Sequence, residues 1–180
     1  YDGYWWEKNI CRSEDGGENF INITPSFPGI IADDWIPFDI TISSENANHV
    51  WIARCPNSLS YESYEGSKVY KSINAGDDWI NVTGSGLSGE NITNIEYHRG
   101  SNGGVYLGTR KNVYYKNDAM TEWILFNNGL PLSTYSTQLV PYYKDGKLKN
   151  GTNRSVWEVD FYETANPSAQ IAADRLTINC

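Results

Sequence analysis

The sequence predicts an all-β protein built from repeated antiparallel four-stranded sheets, with a β-sandwich as the alternative architecture. Three observations carry this. The chain is rich in Gly, Asn, Ser, Thr, Tyr and Trp and has no long Leu/Ala/Glu/Lys run, a balance that favours short strands and turns over helices. An eight-residue stretch recurs: SEDGGENF (13–20) and SINAGDDW (72–79) both read Ser-x-Asp/Asn-x-Gly-x-x-Phe/Trp, and KNDAMTEW (116–123) keeps Asp118 and Trp123. The same order of strand-like runs surrounds each copy, and a sandwich gives no reason for one turn to recur at one place in each unit.

The elements follow in order. YWWEKNICRS (4–13) supplies a strand that leads into the first turn. In each turn an Asp or Asn side chain is suited to bond backbone amides two residues on, Gly provides φ > 0, and the closing aromatic is expected to drop back into a core. A short strand follows each aromatic: FINIT (20–24), WINVT (79–83) and WILFN (123–127). After a loop comes the next strand, at FDITIS (38–43), ITNIEYH (92–98) and STQLVPYY (136–143). A polar turn leads to VWIAR (50–54), VYLGT (105–109) and LKNGT (148–152). The last strand of each set is KVYKS (68–72), NVYYKN (112–117) or SVWEVDF (155–161). The alternation in VYKS, VYLG and VWEVDF fits half-buried antiparallel strands. Four-stranded sheets recurring at this interval are the pattern of a β-propeller.

The turns resemble the Asp-box (BNR) motif of propeller proteins, a family that includes sialidases, xyloglucan-degrading glycosidases, sortilin-type receptors and photosystem assembly factors. The resemblance rests on Ser13, Asp15, Gly17 and Phe20, on Ser72, Asn74 (for Asp), Gly76 and Trp79, and on the degenerate copy with Asp118 and Trp123, and it covers about residues 1–162. It implies a structural role for these residues. On this reading the chain holds a partial blade at 1–24, blades at 36–83 and 92–127, and a last blade at 136–162 without its outer strand. That is the expectation for the C-terminal half of a larger propeller, whose open edge is capped by more of the same chain or by a neighbouring copy. Residues 163–180 read as a linker; ANPSAQIAADRLTINC (165–180) resembles the opening of a PKD-type immunoglobulin-like domain and implies a large modular secreted protein of bacterial origin.

The net charge of −8, from 22 acidic and 14 basic residues without a basic run, argues against nucleic acid and anionic membranes as partners. No apolar stretch has the length of a membrane helix, no signal peptide is visible, and residue 1 is Tyr, so a processed or partial chain is expected. With only Cys11, Cys55 and Cys180, one cysteine lacks an internal partner. Cys11 and Cys55 form a candidate disulfide, or are buried free thiols. The sequons at Asn22, Asn81 and Asn91 are no surprise in an Asn- and Thr-rich chain.

Function is expected where long loops leave a regular scaffold. The two longest connections, 25–38 and 55–67, fall on the same side of the expected sheets. The first carries Asp33, Asp34 and Trp35 and the second Tyr61, Glu62, Tyr64 and Glu65. Aromatic platforms beside carboxylates suit a glycan or protein ligand, and Asp33 and Asp34 suit a share of a Ca²⁺ site. Trp35 equally suits a plug that holds its loop to the sheet. No spacing selects a catalytic carboxylate pair, although Asp33 or Asp34 with Glu62 or Glu65 is the nearest choice for a glycosidase. Arg54, Arg110 and Arg154 fall near equivalent strand ends, where an arginine cluster of a sialidase or simply solvated strand ends would place them, and the N-terminal motif that sialidases carry is not in this chain. His49 and His98 lack zinc spacing, neither Cys11 nor Cys55 has a histidine beside it, and no cofactor motif occurs. The expected role is thus non-catalytic (display, adhesion, or glycan or protein binding) outside the cell or at its surface, with part of a secreted glycoside hydrolase as the alternative.

Overall fold

The computed structural model describes residues 9–24, 38–54 and 67–163. The expected tail at 165–180 lies outside these residues. The chain is all-β, with thirteen strands among the described residues. Strands β3 (Phe38–Ile42), β4 (Val50–Arg54), β5 (Lys68–Ser72) and β6 (Ile80–Asn81) form one antiparallel sheet in consecutive order. A second repeats it with β7 (Ile92–Tyr97), β8 (Val105–Thr109), β9 (Val113–Lys116) and β10 (Ile124–Leu125). A third holds β11 (Ser136–Tyr142), β12 (Lys147–Thr152) and β13 (Val156–Asp160), and a fourth pairs β1 (Cys11–Arg12) with β2 (Ile21–Asn22).

Registers show how closely the units match. Ile40 faces Ile52, which faces Tyr70; Ile95 faces Leu107, which faces Tyr114. The outer pairings Arg12↔Ile21, Lys71↔Ile80 and Tyr115↔Ile124 coincide. Strands β1, β5 and β9 are therefore equivalent, as are β2, β6 and β10. One bond closes each outer pair past its short strand: Ile23 N–H to Ile10 carbonyl, Val82 to Val69, and Phe126 to Val113, at 2.8–2.9 Å. A second ties the start of the inner strand to a side chain: Ile10, Val69 and Val113 N–H donate to Thr24 Oγ1, Thr83 Oγ1 and Asn127 Oδ1. The Asn-x-Thr triplets at 22–24 and 81–83 thus end the outer strand, with Thr24 and Thr83 N–H donating to Asn22 and Asn81 Oδ1.

The sheets stack face to face in chain order, more layers than a two-sheet sandwich holds. Between the first two full sheets lie Trp51, Ala53, Val69, Ile95, Leu107 and Trp123; between the next two lie Tyr106, Tyr115, Phe126, Leu139 and Leu148. Strands β4 and β8 are consequently buried at every position. This corrects the half-buried reading of VYLG: a strand covered on both faces has no wet side. At about 25 cal/mol per Å² of apolar surface, these faces supply the main driving force for stacking.

Polar joints fix the register of the stack. The first strands β3, β7 and β11 lie side by side, each presenting an edge that its own sheet leaves unpaired. Asp39 Oδ2 accepts the Ile95 N–H at 2.8 Å, and Thr41 Oγ1 accepts the Tyr97 N–H at 3.0 Å. Asn94, at the position equivalent to Asp39, donates through Nδ2 to Ser136 carbonyl and Oγ, both at 3.2 Å. Each bond satisfies a backbone or hydroxyl group that stacking removes from water.

Candidate functional site

The recurring turns show what their side chains are committed to. In the first, Ser13 Oγ accepts the Gly17 N–H at 2.7 Å and donates to Asp15 Oδ1 at 2.9 Å. Asp15 in turn accepts the backbone N–H and side-chain amide of Asn19, at 2.9 and 2.6 Å. In the second, Ser72 Oγ accepts the Gly76 N–H at 2.8 Å and donates to Asn74 Oδ1, which accepts the Asp78 N–H at 2.9 Å. Gly17 and Gly76 sit at φ +96° and +94°, in the left-handed region where a β-carbon is strained. The Asp15 carboxyl is held down at about 2, chiefly by the Asn19 N–H, then by the Asn19 amide and Ser13 hydroxyl. With their oxygens bonded within the turn, Asp15 and Asn74 act as fasteners.

The third turn and the first anchor differ from expectation. At KNDAMTEW the accepting oxygen is Asn117 Oδ1, bonded by the Ala119 N–H at 3.0 Å, one position early. Asp118 instead pairs with Lys71 Nζ of the preceding sheet at 2.5 Å, as Asp77 pairs with Arg12 at 2.8 Å. Arg12 and Lys71 are equivalent, so a basic residue in β1 and in β5 reaches forward to the next turn, while β9 has Tyr115 at this position. Trp123 is buried, with Nε1 donating to the Val82 carbonyl at 2.8 Å, and Trp79 packs against Ile52 and Tyr70. Phe20 is 67% exposed, which corrects its expected burial. It belongs to a two-stranded pair that, among the described residues, no preceding sheet covers.

The opposite end of the sheets is where the two long connections begin and end. Phe38, Arg54 and Lys68 lie in one register row, so residues 25–37 and 55–66 depart from neighbouring strand ends, away from the Ser72–Trp79 turn. Asp33, Asp34, Trp35, Tyr61, Glu62, Tyr64 and Glu65 fall outside the described residues, as do Cys55 and Cys180; Cys11 is exposed. The three arginines occupy unlike settings: Arg54 is buried, Arg110 lies over the Tyr135 ring at 5.4 Å, and Arg154 is exposed. At the same end Glu90 gathers three donors, Thr109 Oγ1, Asn112 Nδ2 and Tyr114 Oη, at 2.7–2.9 Å.

Two titratable groups that motif reasoning passes over stand out. Glu96, on β7, is pushed up to about 7 by burial and then by the charge of Asp39 on the neighbouring first strand. A carboxyl so shifted beside a second acidic side chain is a pairing that acid–base chemistry uses. His98 is fully buried among the rings of Tyr106, Tyr143 and Phe161, at 4.4–6.0 Å between centroids. Neither ring nitrogen has a hydrogen-bond partner among the described residues, and burial pushes the imidazole down to about 4, against the opposing pull of Glu163 and Glu45. Only spatial placement reveals either group. Among the described residues no group of three or more His, Cys, Asp or Glu is placed to hold a metal ion, and no helix is long and apolar enough to cross a membrane.

Compared with known proteins, the chain matches no family model and no curated sequence.

Proposed function

We propose that this chain is a non-catalytic segment of an Asp-box-type β-propeller in a large extracellular or cell-surface protein, and that it binds a glycan or protein ligand at the end of the sheets from which residues 25–37 and 55–66 depart. The single observation that carries the reading is the register row Phe38–Arg54–Lys68, which gathers the ends of both long connections on one side. The Ser13, Asp15, Ser72 and Asn74 side chains are bonded to the backbone of their own turns. The aromatic and acidic residues of the two long connections supply the recognition chemistry in this reading.

The test is a glycan-array screen of the chain, followed by titration calorimetry with the best oligosaccharide. Trp35→Ala and the Tyr61→Ala/Tyr64→Ala pair should each lose binding, while Asp15→Asn should keep it. Binding that survives both loop variants would overturn the assignment of the site. The glycoside-hydrolase reading draws on one observation, the raised Glu96 carboxyl beside Asp39. Release of reducing sugar that disappears in Glu96→Gln would establish it in place of the binding reading.

A further inference from the structure

The equivalence between sheets exposes an unmatched face in the stack. Ile95 and Tyr97 of β7 are 2% and 7% exposed, because β3 and β4 cover them. Their counterparts one sheet earlier, Ile40 and Ile42, are 51% and 52% exposed. Both line a groove of about 690 Å³ that also touches Ile10, Ile23 and Trp79. The far wall of this groove is the β1–β2 pair, which occupies the places of a third and a fourth strand. What would cover Ile40 and Ile42 is a first and a second strand.

We infer that the groove over Ile40 and Ile42 is the seat of an antiparallel two-stranded β-ribbon that adds to the edge of β1, supplied by the same polypeptide on the N-terminal side of β1. Three features single out this occupant. The groove continues the β1–β2 sheet, and among the described residues β1 pairs with β2 alone. Each full sheet is built in consecutive order from inner to outer strand, so strands that share a sheet with β1 come before it in the chain. A whole sheet from a second copy does not fit, because its third strand would collide with β1. The joints also prescribe chemistry: the first strand of the ribbon presents a short polar side chain to the Ile42 N–H, as Thr41 does to Tyr97, and another two residues before it that takes the Ile40 N–H over from Asp39 Oδ1, which now accepts it at 3.1 Å. An apolar face of this kind, left open, is an aggregation hazard.

The test is carbene footprinting with a photoactivated diazirine, read by mass spectrometry, on the natural polypeptide from its source and on the 180-residue chain. In the 180-residue chain Ile40 and Ile42 should label like the comparably exposed Ile80 and Leu125. In the natural polypeptide they should lose that labelling, down to the level of Ile95 and Tyr97, and keep the protection on dilution. Cross-linked peptides should then place chain N-terminal to β1 against Ile42. Undiminished labelling in the natural polypeptide would overturn the inference. So would protection that dilution removes, which marks a second copy, or a cross-link to a different protein.

Discussion

Single residues separate fasteners from passengers. Ser72 is buried and holds both the Gly76 and Asn74 N–H groups, at 2.8 and 3.2 Å, whereas Ser13 does the same work in water. Ser72→Ala leaves buried donors unmatched and should cost about 1–3 kcal/mol, more than Ser13→Ala, in urea unfolding. Gly76→Ala should also destabilise: its φ is +94°, and the added carbon would lie 2.5 Å from Ile23 Cδ1. His98 gives a pH signature of its own. Its folded value of about 4 lies below the ordinary 6.5, so between these values the unfolded chain binds the proton and the folded chain does not. Stability from this group is complete above pH 6.5 and drains away as the pH falls towards 4, by up to about 3 kcal/mol at 1.36 kcal/mol per unit. His98→Phe should remove this group's contribution, so the difference in urea midpoint between parent and variant should grow in the parent's favour from pH 4.5 to 6.5. Spacing made the Ser, Asp and Gly of the first two turns legible, since that chemistry is local. Neither the exposure of Phe20 nor the shift from Asp118 to Asn117 was legible, because each depends on what an adjoining sheet or lysine supplies.

Among elements, the short outer strands hold by the residues that flank them. Strand β10 has two residues, yet Trp123 just before it is 5% exposed and bonded across to Val82. Trp123→Ala should therefore cost about 3–5 kcal/mol, while Phe20→Ala should stay within about 0.5 kcal/mol. Calorimetric melting of the two variants tests the contrast. Strand positions were legible throughout, from FDITI to VWEVD, because apolar runs broken by Gly, Asn and Asp mark strands in any setting. Burial was less so. VWIAR and VYLGT are nearly continuous apolar runs, and their covering on both faces comes from stacking, a relation between units rather than a property of one run. The joints Asp39–Ile95 and Thr41–Tyr97 were not legible for the same reason. Asp39→Ala should leave the buried Ile95 N–H without an acceptor and cost about 1–3 kcal/mol.

At the scale of the molecule, two titratable groups oppose each other in acid. Glu96 titrates near 7 when folded and near 4.5 otherwise, so it binds a proton on folding, and its contribution is present at low pH and lost as the pH rises through 7. His98 contributes in the reverse sense over an overlapping range. Their slopes offset one another between about pH 4.5 and 6.5. Stability of the parent chain should be flatter there than that of either variant: Glu96→Gln should become more stable as pH rises, and His98→Phe less. Denaturant titrations at three pH values decide this. The order of sheets was readable from the repeat, while the candidate loop end was legible only as two long polar connections whose strand ends share a row.

The joints between first strands have a direction. A side chain of one unit always reaches forward to the next, through Asp39 and Thr41 and then Asn94. A unit therefore carries half of each of two different junctions, one at its front and one at its back. The two junctions differ in chemistry: at the first, side-chain oxygens meet backbone N–H groups, and at the second an amide donor meets a carbonyl and a hydroxyl. A unit copied in tandem or turned round would face a junction made for a different neighbour, so each sheet has one place and one direction in the chain.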